Sequence, residues 1–121
     1  NLKLENFSIF PGSELKLLEG LRLGCSGIIT ATCNATAELA RKVYDDFLEG
    51  KEQSYNQKLC DVRAAFDKYN LISGLHTFFS RENKIYKNIL PPLGLLNNID
   101  EKELINILKD LNFKKKLPLV V

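Results

Sequence analysis

The chain contains no methionine, a single histidine and no long apolar run. Each gap closes off a class of function. With His76 as the one imidazole, no Ser-His-Asp set can be assembled with any support from spacing. The cysteines, Cys25, Cys33 and Cys60, form an odd set without the two-residue spacing that metal and redox sites favour. They read as reduced structural thiols, and no metal or other cofactor is expected. No stretch approaches the apolar length of a membrane span or a signal peptide, so no membrane partner is expected and the setting is read as cytoplasmic. A formal net charge of +2 is too small to argue for nucleic acid. The missing methionine implies that the chain does not begin at an initiator residue, and Asn1 reads as the product of a cut or trim.

What is present is centred on Gly24-Cys25-Ser26-Gly27-Ile28-Ile29-Thr30-Ala31-Thr32-Cys33-Asn34. From Gly27 to Cys33 apolar and polar residues do not alternate, which is the pattern of a parallel strand covered on both faces. The chain offers it one partner, Phe7-Ser8-Ile9-Phe10. Two parallel strands alone do not make a stable sheet, so the pair reads as the tail of a larger one. A length of 121 residues, 45% hydrophobic and 26% charged, otherwise suits one ordinary soluble domain.

In chain order, Phe7 to Phe10 is a predicted strand stopped by Pro11-Gly12. Ser13 caps a helix over Glu14 to Leu23, with Leu15, Leu18 and Leu21 inward, and Gly24 ends it. Strand, helix and strand make one right-handed βαβ unit. Thr36 then caps a helix with Leu39, Ala40, Val43, Tyr44, Phe47 and Leu48 at helical spacing up to Gly50. A third helix over Lys51 to Tyr69 carries Tyr55, Leu59, Val62, Phe66 and Tyr69 as a narrow stripe suited to a helix bundle. Ser73 caps a fourth, with Leu75, Phe78, Phe79, Ile85 and Tyr86 apolar. Asp100 with Glu103 makes a capping box for a fifth over Glu101 to Phe113, with Leu104, Ile105, Leu108 and Leu111 inward. Lys114-Lys115-Lys116 reads as a basic hinge, and Leu117 to Val121 as a terminal strap.

In parallel α/β arrangements ligands bind at the carboxyl ends of the strands. That rule selects Phe10-Pro11-Gly12-Ser13-Glu14 and Thr30-Ala31-Thr32-Cys33-Asn34. Ser13, Asn34 and Thr36 also read as plain caps and turn residues. Glu14 reads equally as a solvated first-turn carboxylate favoured by the helix dipole. Gly24 and Gly27 precede a strand rather than follow one, so they read as packing glycines. No lysine lies on either strand, where a desolvated Schiff-base amine would be expected. By its own residues the chain carries no complete active site.

The runs Phe7-Ser8-Ile9-Phe10-Pro11-Gly12 and Leu21-Arg22-Leu23-Gly24-Cys25-Ser26-Gly27-Ile28-Ile29-Thr30-Ala31-Thr32-Cys33-Asn34, followed by Glu38-Leu39, Leu48-Glu49-Gly50 and Leu90-Pro91-Pro92-Leu93, resemble the C-terminal portion of the dihydrodipicolinate synthase and N-acetylneuraminate lyase family. The resemblance implies an α/β fold, the last two β/α units of a (β/α)8 TIM barrel over residues 1–50. A C-terminal helical extension would follow over residues 51–121, leaving this chain mostly α. It also implies a parent lyase in which a barrel lysine forms a Schiff base with a 2-oxo acid and a tyrosine relay moves protons. Those groups would belong to strands upstream of Asn1. The chain alone is therefore expected to be inactive, with the rest of the barrel and further copies of itself as partners. On matching positions, Gly12 would sit beside the substrate and the Ile29 carbonyl would border the pyruvate pocket. Ser13, Glu14 and Ala31 would contact the variable part of the substrate.

Within that family, sialic acid lyases carry two consecutive acidic residues where this chain has Glu14-Leu15, and a serine where it has Ala31. Dihydrodipicolinate synthases show an Asn-Pro-x-Pro run where this chain reads Leu71-Ile72-Ser73-Gly74-Leu75-His76. The Ser-Gly-Leu form resembles the aldolase and lyase branches acting on 2-keto-3-deoxy sugar acids. A lyase, aldolase or dehydratase of that type is the leading expectation, with the lysine-biosynthetic 4-hydroxy-tetrahydrodipicolinate synthase second. A helical interaction module without chemistry is the third.

Overall fold

Helices supply all the regular structure of the computed structural model, which describes residues 5–114. Its α-helices are α1 (Leu17–Arg22), α2 (Cys33–Leu48), α3 (Asn56–Asp67), α4 (Leu71–Ser80) and α5 (Asn98–Asp110). The mostly helical character expected of the chain is present, and no strand forms among the described residues. The chain divides into two compact units, one through Cys60 and one from Asp61 onward.

In the first unit Ser13 opens the helical run as expected, its Oγ accepting from the Leu15 N–H at 3.2 Å. The run starts as a 3-10 turn, Glu14–Lys16, and becomes α1. That start changes which side faces inward. A 3-10 turn holds three residues per turn rather than 3.6, so the phase shifts. Glu14, Leu17, Gly20 and Leu21 are buried, whereas Leu15, expected inward, is 48% exposed. Gly24 follows α1 at φ 93° with open space where a Cβ would lie. It serves the turn and not the packing, which corrects its reading as a packing glycine.

The segments expected as strands stay extended without pairing into a sheet. The Ser26 N–H donates to the Ile9 carbonyl at 2.9 Å and the Ile29 N–H to the Pro11 carbonyl at 3.2 Å, so the two segments run in the same direction. Between those bonds one segment advances two residues and the other three. The register slips as at a bulge, and no ladder propagates. The second segment also stops short of Cys33, which belongs to α2.

Thr36, expected as the cap of α2, lies inside that helix and is buried. The helix begins earlier because the Thr30 Oγ1 accepts from the Cys33 N–H at 3.0 Å, supplying a capping acceptor upstream. Ala35, Thr36, Leu39, Ala40 and Val43 form the inward stripe of α2, against which α1 packs. Tyr44 and Phe47 are half-buried and Leu48 is exposed. Gly50, at φ 68°, follows the helix end as expected.

The division between the units falls within α3, whose Leu59, Val62 and Phe66 are fully buried, as the narrow stripe predicts. This helix is shorter than expected. Asn70 leaves the helical conformation to cap α4, its Oδ1 accepting from the Ile72 and Ser73 N–H groups at 3.1 Å each. Ser73 is thus a buried residue of α4 and not its cap. Ile85 and Tyr86, expected on that helix, lie in a 3-10 turn, Lys84–Lys87. Asn97, and not Asp100, caps α5, accepting from the Asp100 N–H at 2.8 Å. Leu104 and Leu108 are its buried residues, while Ile105 and Leu111 are half-buried. Lys115, Lys116 and the Leu117 to Val121 strap lie outside the described residues.

The second unit is held by aromatic contacts and by polar clamps. Phe66 meets Phe78 edge-on at 5.7 Å between centroids, and Phe79 lies 5.3 Å from Tyr86. Gly74 lets α4 approach Phe66, whose Cδ1 would lie 3.4 Å from an added Cβ. Tyr69 donates its hydroxyl to Glu103 Oε1 at 2.7 Å, tying the segment that follows α3 to α5.

Burial of the Tyr69 phenol, then the hydrogen bond and charge of Glu103, push its pKa up from the ordinary value near 10 to about 12. A raised folded-state value means that the stabilisation is complete below pH 10 and disappears as pH climbs toward 12. Tyr69→Phe is expected to be slightly less stable than the parent near neutral pH and to lose less stability between those values. Urea unfolding at neutral and alkaline pH checks this. Equal alkaline losses in both proteins would remove Tyr69 as the cause. Phe66→Ala, which empties a fully buried site, is expected to cost about 3–5 kcal/mol in the same measurement.

Candidate functional site

The two loops selected by the carboxyl-end rule lie side by side. The Ile29 to Pro11 backbone bond joins their starts, and Glu14 joins the rest. Glu14 is fully buried, and its Oε2 accepts hydrogen bonds from the hydroxyls of Thr32 and of Thr36, the latter at 3.2 Å. Both threonines are themselves fully buried. Spacing explains the geometry: residues four apart on a helix share a face, so the start of α2 presents Thr32 and Thr36 together. Thr30 extends the cluster, with its Oγ1 3.2 Å from that of Thr32.

This arrangement corrects the solvated reading of Glu14. A carboxylate buried without partners is strongly unfavourable, and two hydroxyl donors meet its need. Thr32 and Thr36 were missed because the first read as the end of a strand and the second as a cap. Their spacing, with Glu14 opening the preceding helical run, was the available signal.

The other predicted site residues lie around this tie. Gly12 is exposed, with nothing within 4 Å of where its Cβ would be. Ser13 is half-buried and occupied as a cap. The Ile29 side chain is 71% exposed. Ala31 is exposed, and its carbonyl accepts from the Asn34 side chain at 2.9 Å. His76 is in α4, and its Nδ1 lies 2.8 Å from the Tyr86 carbonyl, where it holds the 3-10 turn to the helix.

The cysteines are free thiols. Among the described residues no three His, Cys, Asp or Glu side chains gather as a metal cluster, and no helix is long and apolar enough to cross a membrane.

The chain matches the Dihydrodipicolinate synthetase family over residues 2–111. It belongs to that family, and through it to the Schiff-base aldolase and lyase superfamily, whose members are lyase-type enzymes. No curated protein and no solved structure matches it.

The buried tie makes a stability prediction. Thr36→Val removes one donor to Glu14 and is expected to cost about 1–3 kcal/mol. Glu14→Ala strands both hydroxyls and should cost more, while Glu14→Gln, which keeps an acceptor, should cost less than Glu14→Ala. In a double-mutant cycle, Glu14→Ala with Thr36→Val should show a coupling of about 0.5–3 kcal/mol by urea unfolding. Simple additivity would show that the two side chains do not act together.

Proposed function

We propose that this chain forms the last two β/α units and the helical extension of a (β/α)8 lyase. The parent enzyme joins a barrel lysine to a 2-oxo acid as a Schiff base, and its substrate is of the 2-keto-3-deoxy sugar acid type. Family membership across residues 2–111 is the observation that carries this reading. Two further features support it. The parallel pair of extended segments exposes Phe7, Ile9, Phe10 and Ile29, as expected of strands whose neighbours lie elsewhere. The Ser73-Gly74-Leu75 run stands where the synthase branch carries Asn-Pro-x-Pro.

In this reading the lysine and the tyrosine relay lie upstream of Asn1, and this chain supplies the edge of the pocket. Gly12 sits beside the 2-oxo acid, the Ile29 carbonyl borders the pyruvate pocket, and Ser13 and Ala31 contact the variable part of the substrate. Glu14 contacts the variable part of the substrate in this reading and, through Thr32 and Thr36, also ties the two loops together. The chain alone performs no chemistry. The reading also includes assembly with further copies of itself and a cytoplasmic setting, which suits its free thiols.

The test is intact-mass spectrometry of the polypeptide carrying this chain after pyruvate and borohydride, paired with an assay for pyruvate released from a 2-keto-3-deoxy sugar acid. A reduced pyruvate adduct upstream of Asn1 together with release is the expected result. An adduct without release would favour the synthase, and no adduct would favour the non-catalytic helical module.

A further inference from the structure

The second unit carries a groove of about 640 Å³ to which α4 and α5 both contribute. Phe79 and Leu108 are the buried part of its lining, while Phe78, Ile105 and Phe113 keep part of their surface open. The Phe113 ring lies 5.9 Å from that of Phe78, so an aromatic surface runs from one side of the groove to the other. The charge around it is uneven. Arg81 stands on the α4 side and Lys109 and Lys114 on the α5 side, against the single carboxylate of Glu82. Arg81 reaches Glu101 through Nη1 at 3.6 Å, yet its side chain is 48% exposed and keeps further guanidinium donors. Lys109 and Lys114 are exposed and have no ion-pair partner among the described residues.

We propose that this groove docks an acidic amphipathic helix of a partner protein, one with an apolar stripe along a single face and Asp or Glu residues on both flanks of that stripe. Charge complementarity carries the choice. Three cations beside one carboxylate reject a basic partner and favour an acidic one. Because the cations stand on both sides of the apolar surface, a ligand with one anionic head would meet only some of them. Carboxylates on both flanks of a stripe would meet them all. The partner is a helix for a backbone reason. Both α4 and α5 spend their N–H and C=O groups within themselves, so the groove has no strand edge to pair an extended peptide. A helix satisfies its own backbone and offers side chains at i, i+3, i+4 and i+7 to the rings of Phe78 and Phe113.

The probe is a fluorescein-labelled helical peptide of about 14 residues, roughly 20 Å long, with a Leu and Phe stripe flanked by Glu, paired with a twin that carries Lys in place of Glu. Fluorescence anisotropy with the intact chain should show binding of the Glu peptide, weakening as salt rises, and little binding of the Lys twin. The Glu peptide should also shift the ring resonances of Phe78 and Phe113. Lys109→Glu and Lys114→Glu alter exposed side chains, so both should keep the parent urea midpoint while each lowers affinity about tenfold. Absence of binding, equal binding of the two peptides, or parent affinity in both variants would overturn the proposal. Sodium oleate and the chain itself are the competing occupants. Oleate binding that depends on Lys109 and Lys114 where the Glu peptide fails to bind would make the occupant a lipid. Self-association by sedimentation that Lys109→Glu abolishes, again without peptide binding, would make it a second copy, and either result would overturn the proposal.

Discussion

A carboxylate shut away from water needs hydrogen-bond partners, and Glu14 obtains them from a helix face that offers two hydroxyls together. Much of the first unit follows from that requirement. Thr32 and Thr36 can both point at Glu14 only if α2 has begun by Cys33, so the capping role passes upstream to Thr30. Glu14 itself can point inward only if the run after Ser13 starts as a tighter turn, and this brings Leu17 and Leu21 inward and leaves Leu15 outside. One buried polar contact therefore sets the phase of two helices and the spacing of the loops between them.

The same contact shows where the sequence is legible and where it is not. Helix stripes were readable because burial repeats: Leu59, Val62 and Phe66 are all at zero exposure, and Leu39, Ala40 and Val43 are buried together. Glycine stops were readable because Gly24 and Gly50 carry positive φ where the helices end. The two loops of the candidate site were readable as a pair from the topology alone. Caps were not. Asn70 competes with Ser73, and Asn97 with Asp100, among residue types of similar capping strength. The outcome is decided by which residues must be buried, and Ser73 is at 6% exposure. A hydroxyl at a helix start reads as a cap in sequence, yet Thr36 turns inward because a carboxylate distant in sequence requires it.

Helix and extended chain differ in what they need from a neighbour. An amphipathic helix satisfies its single apolar stripe with one partner, and α1 against α2 is such a pair. An extended segment has two faces and two edges, so one partner leaves most of it open. Four exposed apolar residues of the first unit lie where this division puts them, beside Leu15 and Leu48 on the helical runs. Phe7, Ile9, Phe10 and Ile29 are 41–71% exposed and all lie on the extended pair, while the inward residues of α2 are nearly dry. Each such side chain is worth about 1.5–3 kcal/mol when fully buried, so together they approach the whole stability of a small domain. The slipped register between Ile9 to Pro11 and Ser26 to Ile29 fits this view. Without neighbours at either edge nothing holds the two backbones to a common spacing. In the proposed barrel each of these segments would gain a neighbouring strand and a covering layer. The ladder that two segments cannot sustain alone would then be imposed from outside, with Glu14, Thr32 and Thr36 already holding the loops at its end.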